Sequence, residues 1–142
     1  MIYRASFFLL LILNISCGGS SELVKNPPFK VDKTQTKAEK PDKVQVVFDV
    51  SELPADVVFK DLYFQNKKSR VLWDSRATYY ATFSNAKVNS EDRVLSADRA
   101  QEANNPLPQV PVKPPYKISE NQALLNYQVK DKTFFTILEL NP

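Results

Sequence analysis

Two runs in this chain place apolar residues at every second position, and that period limits the fold more than any other feature. Val44, Val46, Phe48 and Val50 alternate with Gln45, Val47, Asp49 and Ser51, and Ala77, Tyr79, Ala81 and Phe83 alternate with Thr78, Tyr80, Thr82 and Ser84. Successive side chains of a strand point to opposite faces, so each run reads as a strand with one buried face. A third run, residues 57–65, changes phase at Lys60-Asp61: Val57 and Phe59 share one face and Leu62 and Phe64 the other, which predicts a bulge or a switch of sheet. Asn66-Lys67-Lys68-Ser69 is turn-like and Val71-Leu72-Trp73 returns, so these two runs read as a hairpin. Residues 123–129 and 133–140 flank Lys130-Asp131-Lys132 and read as a C-terminal hairpin.

The remaining elements are short. Phe29-Lys30-Val31 and residues 94–97 read as short strands and 98–103 as one helical turn; no long helix and no internal repeat follows. About eight short strands spaced by roughly 8 to 12 residues are the signature of an all-β sandwich or open barrel. The reading adopted is a small antiparallel β-sandwich, immunoglobulin-like or related. Pro106, Pro108, Pro111, Pro114 and Pro115 fix φ and remove donors, so their window is expected to cross from one sheet to the other in an extended, polyproline-like form. The only two glycines are Gly18 and Gly19. Tight two-residue hairpins that need φ > 0 are therefore disfavoured, and longer turns are expected.

Ahead of this body, Arg4 precedes an apolar run from Phe7 to Leu13 that closes on Ser16 and Cys17. The run is too short to span a bilayer as a helix, which takes roughly 20 apolar residues, and the order of features is that of a cleaved export signal. Leu13-Asn14-Ile15-Ser16-Cys17 resembles the lipobox of bacterial lipoproteins; Ile15 and Ser16 fit, and Asn14 stands where the family usually has an aliphatic residue. The resemblance implies diacylation of the Cys17 thiol and cleavage before it, making Cys17 the lipidation site and the membrane its partner. At about 0.8 kcal/mol per buried methylene, two acyl chains hold where one does not. The domain reading is a signal peptide over 1–16, lipidated Cys17 and a flexible tether over 17–43 with a short strand near 29–31, and the sandwich over 44–142. Residues 32–43 are polar without apolar period and read as linker, so the tether reaches about 20 to 30 Å.

Composition then excludes whole classes of chemistry. Removing the first 16 of 142 residues leaves 126, the length of one domain and a leader, and loss of Arg4 lowers the formal net charge from +3 to +2. That balance argues against a nucleic-acid partner. There is no histidine, hence none of the commonest general base or soft metal ligand, and a single cysteine makes no internal disulfide. Ser84-Asn85-Ala86-Lys87 spells the S-x-x-K of lysine-dependent serine hydrolases, but Ser84 ends a strand instead of opening a helix, and a solvated turn is the better reading. Glu91, Asp92, Asp98 and Glu102 supply oxygen ligands of the kind calcium takes, yet match no calcium loop and are interleaved with Arg93 and Arg99. Tyr63, Trp73, Tyr79, Tyr80 and Tyr116 either line a sugar or peptide groove or serve as core and cross-strand pairs, and the second reading is preferred. No catalytic, cofactor-binding or metal-binding residue is assigned.

Asn26-Pro27-Pro28-Phe29-Lys30-Val31, Asp61-Leu62-Tyr63-Phe64-Gln65-Asn66-Lys67, and Val94-Leu95-Ser96 followed by Asn104-Asn105-Pro106 resemble stretches of small lipoproteins of the Bacteroidetes and flavobacterial type. The resemblance implies an envelope protein and carries no catalytic residue across. The function expected is a non-catalytic binding or scaffolding module facing another envelope protein; the alternatives are an envelope hydrolase using carboxylates such as Asp92 and Asp98, or a small-ligand carrier. Gly18 follows the cysteine where an inner-membrane retention signal has aspartate. The resemblance to lipoproteins thus implies an outer-membrane anchor, and since the surface-export pattern prefers several acids after the cysteine where residues 18–25 supply only Glu22, the domain is expected to face the periplasm.

Overall fold

The computed structural model describes residues 21–84 and 111–141. The signal peptide, Cys17, Lys87, the carboxylates Glu91, Asp92, Asp98 and Glu102, the expected strand at 94–97, the helical turn at 98–103, Pro106 and Pro108 lie outside the described residues. What is described is all-β. The described residues hold nine strands: β1 (Glu22–Leu23), β2 (Lys30–Lys40), β3 (Lys43–Ser51), β4 (Val57–Phe64), β5 (Lys67–Arg70), β6 (Leu72–Ser75), β7 (Thr78–Ser84), β8 (Gln122–Val129) and β9 (Lys132–Glu139). They form two sheets, β1-β9-β8-β4-β5 and β2-β3-β7-β6. Leaving β1 aside, these are the A-B-E-D and G-F-C-C′ orders of an immunoglobulin-like sandwich, and every pairing is antiparallel except that of β1 with β9.

The core follows the period-2 runs. Val46, Phe48 and Val50 of β3 and Ala81 and Phe83 of β7 face Leu62 and Phe64 of β4 and Ala123, Leu125 and Tyr127 of β8, all buried in one cluster. The phase change in β4 is a bulge: the register against β8 shifts between Phe59 and Asp61, which returns Leu62 and Phe64 to the face that Val57 and Phe59 occupy. With no disulfide to tie the sheets, aromatic rings span them. Phe59 meets Phe29, Phe48 and Tyr79 edge-on at centroid distances of 5.0, 5.6 and 4.8 Å, and Phe64 meets Phe83 at 5.6 Å. Such pairs add about 0.5 to 1.5 kcal/mol each beyond the area they bury.

Three expectations are corrected. First, residues 32–43 are no linker: β2 runs eleven residues and pairs with β3 from Lys30↔Ser51 to Lys40↔Lys43, so the sandwich begins well before residue 44. Its apolar period is missing because β2 is an edge strand whose outer face is solvated. Only Thr34 of its residues is buried, and its lysines guard the edge. Secondly, the return strand of the first hairpin is β5; the chain leaves that sheet at buried Val71, whose N–H donates to the Lys60 carbonyl at 3.0 Å, and β6 joins the other sheet beside β7. Thirdly, turns are short despite the lack of glycine. Gln65-Asn66, Arg76-Ala77 and Lys130-Asp131 each link their strands through two residues, with Gln65 (φ 48°), Asn66 (57°), Arg76 (50°) and Lys130 (55°) in the left-handed region. Both central residues of the first turn are left-handed, which is the type I′ geometry that follows strand twist. Packing of the strands on either side imposes it.

Candidate functional site

Among the described residues, a groove of about 690 Å³ lies where the chain passes from one sheet to the other. Its floor is the second half of β9, residues 136–139; its walls are Lys25 to Thr34, Glu52 and Asn141. The reason for the gap lies in the local sequence. β1 pairs with β9 only at Glu22↔Phe134 and Leu23↔Phe135, after which Val24 N–H donates to the Phe135 carbonyl at 2.7 Å. Asn26-Pro27-Pro28 then ends the pairing, because proline offers no N–H and restricts the residue before it. The chain turns into β2, anchored by Phe29, whose buried ring meets Tyr127 at 5.0 Å. It meets this side of the sheet again where the Thr34 hydroxyl donates to the Glu139 carbonyl and Gln35 bridges Asn141, just past β9.

Between these two contacts β9 has an open side. The carbonyls of Phe135 and Glu139 point to the groove, as their partners Val24 and Thr34 show. Ile137 lies midway, so its N–H and C=O point the same way. Among the described residues no strand pairs with Ile137 on that side. The rim is mixed in charge, with Lys25, Lys30 and Lys33 against Asp32, Glu52 and Glu139. Lys30 and Asp32 form an exposed pair at 3.7 Å, and Glu139 Oε1 accepts from Gln122 Nε2 at 2.6 Å. An arrangement of this kind offers main-chain hydrogen bonds to an extended segment, with no net charge selecting its sign.

The outer face of the five-stranded sheet is covered. Tyr63, Leu124 and Phe135 are buried there under Leu23, Tyr116 and Ile118. The segment that carries Tyr116 and Ile118 is the end of the proline-rich crossing: Val112 N–H donates to the Asn66 carbonyl at 2.8 Å, and the Tyr116 hydroxyl donates to the Ser21 carbonyl at 2.9 Å. Beside it Lys68 pairs with Asp61 at 3.2 Å and lies 5.7 Å from the Tyr63 ring centre. The hydrogen bond and charge of Asp61 hold the Lys68 pKa above the ordinary lysine value, against a smaller opposing effect of burial. Asn126 on β8, opposite Asp61 of β4, has a buried Oδ1 with no hydrogen-bond partner. In the core, burial first and the charge of Glu22 second push the Tyr127 hydroxyl pKa up.

The five aromatics do not make one groove. Tyr79 packs in the core, Tyr63 is buried under the segment that carries Tyr116 and Ile118, Tyr80 is half-buried on β7, and Trp73 is 64% exposed on β6. Ser84 ends β7, and its carbonyl accepts from Lys67 Nζ at 2.6 Å. Among the described residues no group of three or more Asp, Glu or Cys could hold a metal ion. The groove was not among the sequence-derived candidates; its one local signal is Asn26-Pro27-Pro28 between two strand-like stretches. No family model, curated protein or solved structure matches the chain.

Proposed function

We propose that this chain is a lipid-anchored, non-catalytic binding or scaffolding module of the bacterial envelope, held by Cys17 in the outer membrane with its sandwich facing the periplasm. The observation that carries the reading is a spacing. The cysteine of the lipobox-like stretch is separated by Gly18, Gly19 and Ser20 alone from Ser21, whose carbonyl is tied to the body by Tyr116. A signal leading straight into a folded domain is how an anchored module is built. The open side of β9 is the docking position of choice, because an extended segment of another envelope protein gains main-chain bonds at Ile137 without unfolding anything.

The carrier alternative calls for a cavity between splayed sheets; the ring contacts of Phe59, Phe48 and Tyr79 occupy that space instead. The test has two parts. Labelling with a radioactive or clickable fatty acid should mark the wild-type chain and lose its signal in Cys17→Ala; persistent labelling defeats the anchor. A photo-crosslinker in place of Asn26, on the groove, should give a discrete adduct in native membranes, whereas one in place of Lys37, on solvated β2, should not. Equal adducts at both positions defeat the groove.

A further inference from the structure

The end of the sandwich from which the chain leaves toward Cys17 can be identified by register. Ser21 precedes Glu22↔Phe134, near the start of β9 and its turn Lys130-Asp131. That turn meets the β3–β4 loop, where Lys130 N–H donates to the Asp56 carbonyl at 3.4 Å. The end of β3 in turn meets the β6–β7 turn, since Val50 N–H donates to the Ala77 carbonyl at 2.9 Å. Ser21, Asp56, Lys130 and the Arg76-Ala77 turn therefore share one end of the molecule.

At that same end stands the most exposed large apolar side chain described. Trp73 is 64% exposed, and Leu72 beside it 46%. Its indole is not loose: Nε1 donates to the Arg76 carbonyl at 3.1 Å, which draws the ring along β6 toward the turn. An indole pinned at a tip next to an exposed arginine has the amphipathic make-up of a membrane-interface anchor. Ser21 lies on the β1 side and Trp73 on the β6 side, about 20 Å apart across the strands.

We propose that this end of the domain rests on the bilayer, with Trp73 inserted among the headgroups as a second contact opposite the lipidated Cys17. The proposal rests on the anchor reading and adds a geometry to it. Four chain steps from Cys17 to Ser21 span at most about 14 Å when fully extended, so an anchored domain has no room to stand clear of the headgroups. Lys130, Lys132 and Arg76 at this end are offset by Asp56, Asp131 and Glu52, so the contact follows from the short tether and the indole more than from anionic lipid.

Trp73 is the only tryptophan in the chain, which makes its fluorescence a reporter for this one site. The lipoprotein purified from membranes and reconstituted in phosphatidylcholine vesicles should float with them and show a blue-shifted emission that brominated acyl chains quench. Inserting about twenty Gly and Ser residues between Ser20 and Ser21 lengthens the reach severalfold; flotation should persist and most of the quenching be lost. Flotation without quenching in the native-length chain overturns the end-on contact while leaving the anchor intact. Quenching that is unchanged by the insertion overturns the role of the short tether, and loss of flotation overturns the anchor reading itself.

Discussion

Replacing Gln65 with glycine should stabilise the protein, although it deletes a side chain and loosens the unfolded chain. Gln65 has φ of 48° in the two-residue turn between β4 and β5. A non-glycine residue held there costs roughly 1 to 2 kcal/mol from contact of Cβ with the following carbonyl. Glycine removes that contact and gives back roughly 0.5 to 1 kcal/mol in backbone entropy. The net gain is about 0.5 to 1 kcal/mol, or a rise in Tm of about 3 to 6 °C for a domain of this size. Arg76→Gly and Lys130→Gly should behave alike, since both positions are exposed and left-handed. Asp42→Gly is the counter-experiment: the Pro41-Asp42 turn joins β2 to β3 without a positive φ, so glycine there brings only the entropic loss, about 0.5 to 1 kcal/mol. Urea unfolding with m unchanged is the measurement. If all four variants shift the midpoint in the same direction, the account of strained turns is wrong.

Other outcomes follow from the same packing. Alanine at Phe48, Phe64 or Phe83, all buried, should cost about 3 to 5 kcal/mol each, and Tyr79→Ala less because the ring is only half-buried; unchanged midpoints would show that the inner faces are misassigned. Tyr127 and Lys68 both have raised pKa values when folded, so the stability they contribute is complete below their unfolded values of 10.0 and 10.5 and is lost as pH rises through the higher folded ones. The urea midpoint should therefore fall above about pH 10, less steeply in Tyr127→Phe; a midpoint that rises there contradicts the sign. On the proposed periplasm-facing placement, protease added to intact cells should leave the domain whole, and digestion with a protected periplasmic control would put it on the cell surface.

How much of this was legible in the linear chain depends on where the stabilising contacts lie. Strands β4, β8 and β9, buried on both faces, show as apolar-rich runs between polar turns. Strands β3 and β7 announce themselves through side chains, because each has one face against the core and apolar residues recur every second position. The bulge at Lys60 shows for the same reason: a residue that leaves the ladder shifts the phase of all that follow. Strand β2 is invisible to that test, since its hold on β3 is made by backbone groups that every residue has, and its charged side chains face water. The crossing at Val71 is likewise a matter of which neighbour is nearer, with two four-residue strands too short to show a period. The groove is the extreme case. Its floor and walls are separated by about a hundred residues, and it exists because the proline pair lifts the chain off β9 before β2 comes back to it.

The amino-acid sequence alone settled that the fold is all-β, that inner faces are built from Val46, Phe48, Val50, Ala81, Phe83 and their period-2 neighbours, and that no histidine chemistry or internal disulfide is available, because hydrophobic period and residue inventory are local properties. Tertiary structure alone decided which strand joins which sheet, that glycine-free turns close in two residues, and that β9 is left open beside the crossover. It also placed Ser21, Arg76 and Trp73 at one end. Those are outcomes of pairing between distant segments, where backbone hydrogen bonds and the packing of one sheet on the other override what each short stretch prefers by itself.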